Sequence, residues 1–332
     1  MRRYIGYEAT GSISGIFDYN EMDYRIRTNQ WSYSVGPPPP GLYSFTTFTF
    51  TNGGQTGPTG PSLATLLSSY NTGTNPWLNN TSYFNTSTGI QLWTAPATAT
   101  YRIEARGAAG GLSTDSVSGG AGAEMIGNFA LTSGEIIKIL VGQMGLTGNG
   151  STRGGGGGGG TFVTRQNNTI LVIAGGGGGG GNNPSTGLAA STGTSGVNGE
   201  LSTNGGGNRG AGGTSGGGGG GGDWASGGAG YSGDGSTNVS SQGGSTVPRA
   251  YLNGGSGGLR PTVWADTTDG GFGGGGWAYA GGAGGGGYSG GGGGGWSNAG
   301  GGGGGGSINN GSAQSNASGV STGHGRVIIT LL

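Results

Sequence analysis

The feature that most constrains this chain is a pair of seven-residue glycine runs, Gly154 to Gly160 and Gly175 to Gly181, set symmetrically about a short apolar pattern. Between them, Thr161-Phe162-Val163-Thr164 and Thr169-Ile170-Leu171-Val172-Ile173-Ala174 are separated by the polar stretch Gln166-Asn167-Asn168. Two β-branched runs joined by a short polar turn predict a β-hairpin, so the glycine runs must leave it side by side and antiparallel. A glycine run has no side chain to bury and loses the most freedom on ordering. If it is buried, every N–H and C=O needs a partner. Further runs follow at Gly216 to Gly222, Gly273 to Gly276, Gly284 to Gly287, Gly290 to Gly295 and Gly300 to Gly306. Seven residues make about two turns of a threefold extended helix, at roughly 3.1 Å per residue. Such a helix has no internal hydrogen bonds, but without Cβ atoms several can pack closely enough to bond one another. The recurrence of similar lengths predicts a bundle of polyglycine II helices. A flexible tether has no use for matched lengths.

Disorder is the usual reading of a chain with 94 glycines in 332 residues. Here 7 Trp, 13 Tyr and 8 Phe argue for a core instead. Strand patterns surround the glycine: Tyr43 to Phe50, Ile90 to Trp93, Tyr101 to Arg106, Met125 to Leu131, Ile136 to Val141 and Arg326 to Leu332. The nearly all-apolar Ile136 to Val141 reads as a central strand. The β-branched C-terminal strand needs a sheet laid down some 200 residues earlier, as sandwich topologies permit. Leu63, Leu66, Leu67 and Tyr70 have helical spacing, and Gly57-Pro58-Thr59-Gly60-Pro61 reads as a turn. Residues 1–40 form an arm ending in the stiff spacer Pro37 to Pro40, with helical spacing at Tyr19, Met22 and Ile26. The expected organisation is an arm and linker over 1–40, a β-sandwich over 41–150 completed by 326–332, and a glycine-rich module over 151–325. The fold class is mainly β.

Charge and residue inventory narrow the chemistry. Formal net charge is zero and charged residues are 8%, which offers no electrostatic handle for nucleic acid or anionic lipid. There is no cysteine, His324 is the only histidine and Lys138 the only lysine. Thiolate chemistry is excluded, and a Walker A loop is excluded because Lys138 follows Ile137. Asp223, Asp234, Asp266 and Asp269 lack EF-hand spacing and read as solvated loop acids. No enzyme, cofactor or metal site is expected. No apolar run of about 18 residues is present, and no apolar stretch follows the basic Met1-Arg2-Arg3, so neither a transmembrane helix nor a signal peptide is expected.

Gly89-Ile90-Gln91-Leu92-Trp93, Ala95 to Thr98, Tyr101-Arg102-Ile103 and Gly107 to Gly111 resemble the extracellular glycine-rich domain of the anaplastic lymphoma kinase and leukocyte tyrosine kinase receptors. Ile139 to Gly145, the glycine-flanked hairpin, Gly270 to Gly276 and Gly323-His324-Gly325-Arg326-Val327-Ile328 continue the resemblance in the same order over roughly 57–332. It implies a tumour-necrosis-factor-like (jelly-roll) sandwich with inserted, hexagonally packed polyglycine helices. It does not carry the receptors' ligand surface, because their cysteines, membrane anchor and kinase have no counterpart here. Gly15-Ile16-Phe17-Asp18-Tyr19-Asn20-Glu21, followed by Trp31, is similar to a short opening motif of tailed-bacteriophage virion proteins. Polyglycine lattices are also similar to the distal adhesins of T-even-like phages.

These resemblances imply a virion-exterior tail-fibre or tail-tip adhesin, made in a host cytoplasm. Its expected partners are other virion proteins, through residues 1–36 with Phe17, Tyr19, Tyr24 and Trp31 as anchors, and a host surface glycan or protein. Homo-oligomers are compatible with this reading; nucleic acid and membrane insertion are not expected. The candidate receptor-contact aromatics are Trp224, Tyr231, Trp264, Trp277, Tyr279, Tyr288 and Trp296, which equally suit caps on glycine-helix ends. The alternatives are a purely structural capsid or tail decoration protein, and an extracellular ligand-binding module.

Overall fold

The structure, a computed structural model, describes residues 4–5, 16–17, 41–149, 154–181, 185–201, 207–238, 246–261, 268–296 and 300–332. The chain divides into two compact units, 1–43 and 44–332, close to the boundary that the prolines suggest. In the first unit β1 (Tyr4–Ile5) pairs antiparallel with β2 (Ile16–Phe17), Tyr4 opposite Phe17. The helical spacing at 19–26 and the anchor candidates Tyr19, Tyr24 and Trp31 lie outside the described residues.

The second unit holds two antiparallel sheets. One is ordered β12 (Ser312–Ser321), β7 (Gly122–Leu131), β6 (Ala99–Arg106), β13 (Arg326–Leu331), β3 (Thr47–Phe50). The other is ordered β11 (Ile308–Asn309), β10 (Ile170–Ala174), β9 (Thr161–Arg165), β8 (Ile136–Leu140), β5 (Ile90–Thr94), β4 (Phe84–Ser87). The fold is mainly β, a two-sheet sandwich. As expected, β8 is central, the 161–174 segment is a hairpin, and the C-terminal β13 enters between β6 and β3. The sheets also take in β9 to β12, so the sandwich and the 151–325 glycine-rich region share chain rather than meeting at one boundary.

Alternation explains the shared core. Tyr101, Ile103 and Ala105 of β6 and Val327 and Ile329 of β13 point inward and are fully buried. They meet Trp93 of β5, whose ring lies 5.6 Å from Tyr101 and 6.2 Å from Phe50 in edge-on geometry. Helix α1 (Leu63–Ser69), capped by Ser62 Oγ accepting the Thr65 N–H, drops Leu66 into the same core. The outward face of the five-stranded sheet is polar: Arg106 pairs with Glu104 and Glu124, and Arg326 with Glu104.

The glycine runs leave from one edge of this sandwich. Gly154 to Gly160 leads into β9, Gly175 to Gly181 leaves β10, Gly300 to Gly306 leads towards β11, and 107–111 and 141–146 continue β6 and β8. Their bonding repeats every three residues. Gly176 and Gly179 donate to the carbonyls of Gly286 and Ala283, Gly177 and Gly180 to Ala108 and Gly111, and Gly178 and Gly181 to Leu188 and Ser185. In return Gly176 and Gly179 accept from Gly305 and Gly302, Gly177 and Gly180 from Gly158 and Gly155, and Gly175 and Gly178 from Ala123 and Gly120. These bonds are 2.8–3.0 Å and reach six different segments. Gly290 to Gly295 repeats the pattern, donating in turn to 217–220, 282–285 and 197–200. A period of three is the one a threefold extended chain gives. The hairpin's two runs are antiparallel, Gly158 donating to Gly177 and Gly155 to Gly180.

Close approach makes the glycines obligatory. A methyl at Gly177 would fall on the Gly120 carbonyl, whereas at Gly323 it would meet nothing within 4 Å. Gly177→Ala should therefore cost more than about 3 kcal/mol, through overpacking against backbone that cannot rotate away, and Gly323→Ala less than about 0.5 kcal/mol; urea denaturation of the two variants measures both. In hydrogen exchange, the amides of Gly155 to Gly160 and Gly176 to Gly180 should be protected nearly to the global unfolding limit. Loop-like exchange there would mean that their bonds are to water.

Candidate functional site

The two ends of the glycine runs differ in what they present. At the sandwich end, the outward face of the six-stranded sheet is covered rather than solvated. Ile90, Leu140, Phe162 and Ile173 pack there with Tyr251 and Phe272 from the glycine-rich region. Phe162 and Tyr251 stack at 4.9 Å, Tyr251 and Tyr231 at 5.6 Å, and Tyr231 and Tyr288 at 6.5 Å, all within 22° of parallel. The Tyr231 hydroxyl donates to the Asn168 carbonyl at 2.6 Å, and the Tyr251 and Thr164 hydroxyls are 2.8 Å apart. Burial raises the Tyr251 pKa far above the usual phenol value, so it stays a neutral hydroxyl. Tyr231 and Tyr288 thus clamp the glycine-rich region onto the sheet.

Trp277 is corrected as a contact residue. It is fully buried, with Gly258 packed against its indole. Its ring N–H has no hydrogen-bond partner among the described residues. The ring is sealed within the glycine-rich region and offers no face to a partner. Trp264 lies outside the described residues.

The remaining three aromatics gather at the opposite end. Tyr279 accepts the N–H of Gly154 and donates its own to the Trp224 carbonyl at 2.9 Å. The rings of Trp224 and Tyr279 are 5.5 Å apart. Trp224 has φ 62°, a left-handed backbone that a bulky residue rarely adopts. Trp296 follows Gly295 directly and is 53% exposed. Leu201 is 50% exposed and follows Glu200, whose carbonyl accepts the Gly295 N–H. Asp223 is held locally, its carboxylate accepting the Asn208 N–H at 2.6 Å. Two packed rings and an exposed indole thus lie at the end of a hydrogen-bonded bundle.

Asp223, Asp234 and Asp269 are held within their loops, while Asp266 lies outside the described residues. Asp234 accepts from the Ala250 N–H and pairs with Arg249 at 2.8 Å, and Asp269 accepts the Arg260 N–H. Among the described residues, no three His, Asp or Glu side chains are grouped as metal ligands would be, and no helix is long and apolar enough to cross a membrane. No family model matches the chain.

His324 is structural in geometry. Its Nδ1 accepts the Met144 N–H at 3.0 Å, tying the turn before β13 to the segment after β8. Burial holds its pKa below the ordinary 6.5. As pH falls the unfolded chain therefore takes the proton first. The contribution is complete above about pH 6.5 and is lost as pH drops through the lower folded value. The stability difference between the native chain and His324→Gln should shrink on acidification from pH 7 to 5, by at most about 1.4 kcal/mol per pH unit. Urea midpoints of both proteins across that range test it; a pH-independent difference contradicts the assignment.

Proposed function

We propose that this chain is a non-enzymatic virion surface protein, a tail-fibre or tail-tip adhesin whose glycine runs are polyglycine II helices. In this reading residues 1–36 dock on other virion proteins, and the far end of the glycine runs meets a host surface glycan or protein. The observation that carries it is the placement of Trp296, Trp224 and Tyr279 together at that end. At about 3.1 Å per residue, seven-residue helices hold these rings roughly 20 Å from the sheets. An exposed tryptophan costs apolar hydration and contributes little to a fold. An exposed indole suits stacking on a sugar ring or filling a pocket of a partner. A bundle whose peptide groups are mutually bonded keeps such rings in fixed positions, which lowers the ordering cost of binding.

The test is surface binding. Fluorescently labelled protein should adhere to cells of the host, and Trp296→Ala should weaken adhesion at least tenfold while leaving the melting temperature within about 1 °C, as expected for an exposed side chain. Undiminished adhesion by Trp296→Ala together with Trp224→Ala would sink the reading. Protein that coats particles but never adheres would favour the decoration role.

A further inference from the structure

A second candidate site lies at the sandwich end of the second unit, on the outward face of the six-stranded sheet. Two adjoining cavities, of about 540 and 190 Å³, share Thr88 and Gly254 in their walls. The larger is lined by Thr59, Thr86, Ser256 and Phe272; the smaller by Lys138, Asn168 and Tyr251.

The trough presents several free polar groups. The side-chain hydroxyls of Thr59 and Thr88, which are exposed, and of Thr86 and Ser256, which are half-buried, make no hydrogen bond among the described residues. Lys138, the chain's only lysine, is half-buried. Its ammonium reaches the neutral Asn168 Oδ1 and lies 5.5 Å from the Tyr251 ring centre, and it meets no carboxylate among the described residues. Asp234, which accepts from the lining residue Asn253, is already paired with Arg249. Burial without a counter-ion lowers the Lys138 pKa, which an arriving anion would reverse.

Thr88 stands where the cavities meet. The turn Thr88-Gly89 joins β4 to β5, with φ 48° and 83°. Both central residues at positive φ make a two-residue hairpin turn that ordinarily takes Asn-Gly. A β-branched residue there is strained, and strain of this kind collects at ligand sites. The sequence keeps a hydroxyl at that point where Asn or Gly would be more stable.

We propose that this trough binds an acidic saccharide unit, with its carboxylate on Lys138 Nζ and its hydroxyls on the Thr59, Thr86, Thr88 and Ser256 side chains. Short hydroxyls and one cation set among apolar walls from Leu63, Ile90, Leu252 and Phe272 match a uronic acid, whose ring has polar edges and apolar faces. The site is independent of the far-end aromatics.

Lys138 also permits a direct test. Reductive ¹³C-methylation of the intact protein gives one lysine dimethylamine signal, apart from that of the terminal amine. Titration with D-glucuronate should shift it saturably, with methyl glucoside and acetate at least tenfold weaker. Calorimetry should show glucuronate binding at least tenfold weaker for Lys138→Met, as for loss of a charged hydrogen bond. Thr88→Gly relieves the turn, so it should raise the melting temperature yet weaken binding; it decides the matter should Lys138→Met fail to fold. Equal responses to acetate and glucuronate, unchanged affinity in a folded Lys138→Met, or tighter binding of a short peptide carboxylate would overturn the proposal. Trp296→Ala should leave the titration unchanged.

Discussion

A peptide group buried without a side chain beside it has one way to be satisfied: another peptide group at bonding distance. That requirement organises the second unit of this protein. Gly176 to Gly180 can be buried because segments on six sides each supply a carbonyl or an amide at every third residue. None of those segments can be spared, since each lost neighbour would leave buried donors or acceptors unpaired, at about 1–3 kcal/mol apiece. The arrangement is cooperative in a way that a side-chain core is not. A leucine can shift rotamer to fill a small gap, but a glycine backbone has no such freedom.

The sandwich solves the nucleation problem that this lattice poses. Ordering glycine is entropically expensive, and an isolated extended run has no internal bonds to offset it. Strands β6, β8 and β10 end, and β9 and β11 begin, at a common edge, so the runs emerge already aligned and at strand spacing. The sheets are fixed by an aromatic core around Trp93, Phe50 and Tyr101. The runs inherit that order.

The two sheet faces then divide the roles. The outward face of the five-stranded sheet carries half-buried cross-strand ion pairs. The outward face of the six-stranded sheet is apolar and is closed by Tyr251, Tyr231 and Phe272. That closure uses up aromatics which would otherwise be free to bind a partner. It also leaves a polar trough at its margin, around Lys138 and Thr88, where cover and sheet do not meet.

Much of this was legible in the residues themselves. Alternation and β-branching located β5 to β10 and β13, and the matched glycine runs flanking the hairpin required two antiparallel neighbours. Strand β12 was not legible: Ser-Ala-Gln-Ser-Asn-Ala-Ser-Gly-Val-Ser has no apolar face because nearly all of it is exposed at a sheet edge. It is a strand because β7 offers an unpaired edge, and pairing is a property of the neighbour. The aromatics were legible as a set but not by role. Trp277 and Trp296 both follow glycine runs, yet one is sealed and the other half exposed. Sequence alone therefore determined the local grammar, namely which stretches extend, which turn, and which can tolerate backbone contact on every side. Only the tertiary structure decided which run lies beside which and which ring faces water, because those follow from chain segments up to some 200 residues apart meeting at one sheet edge.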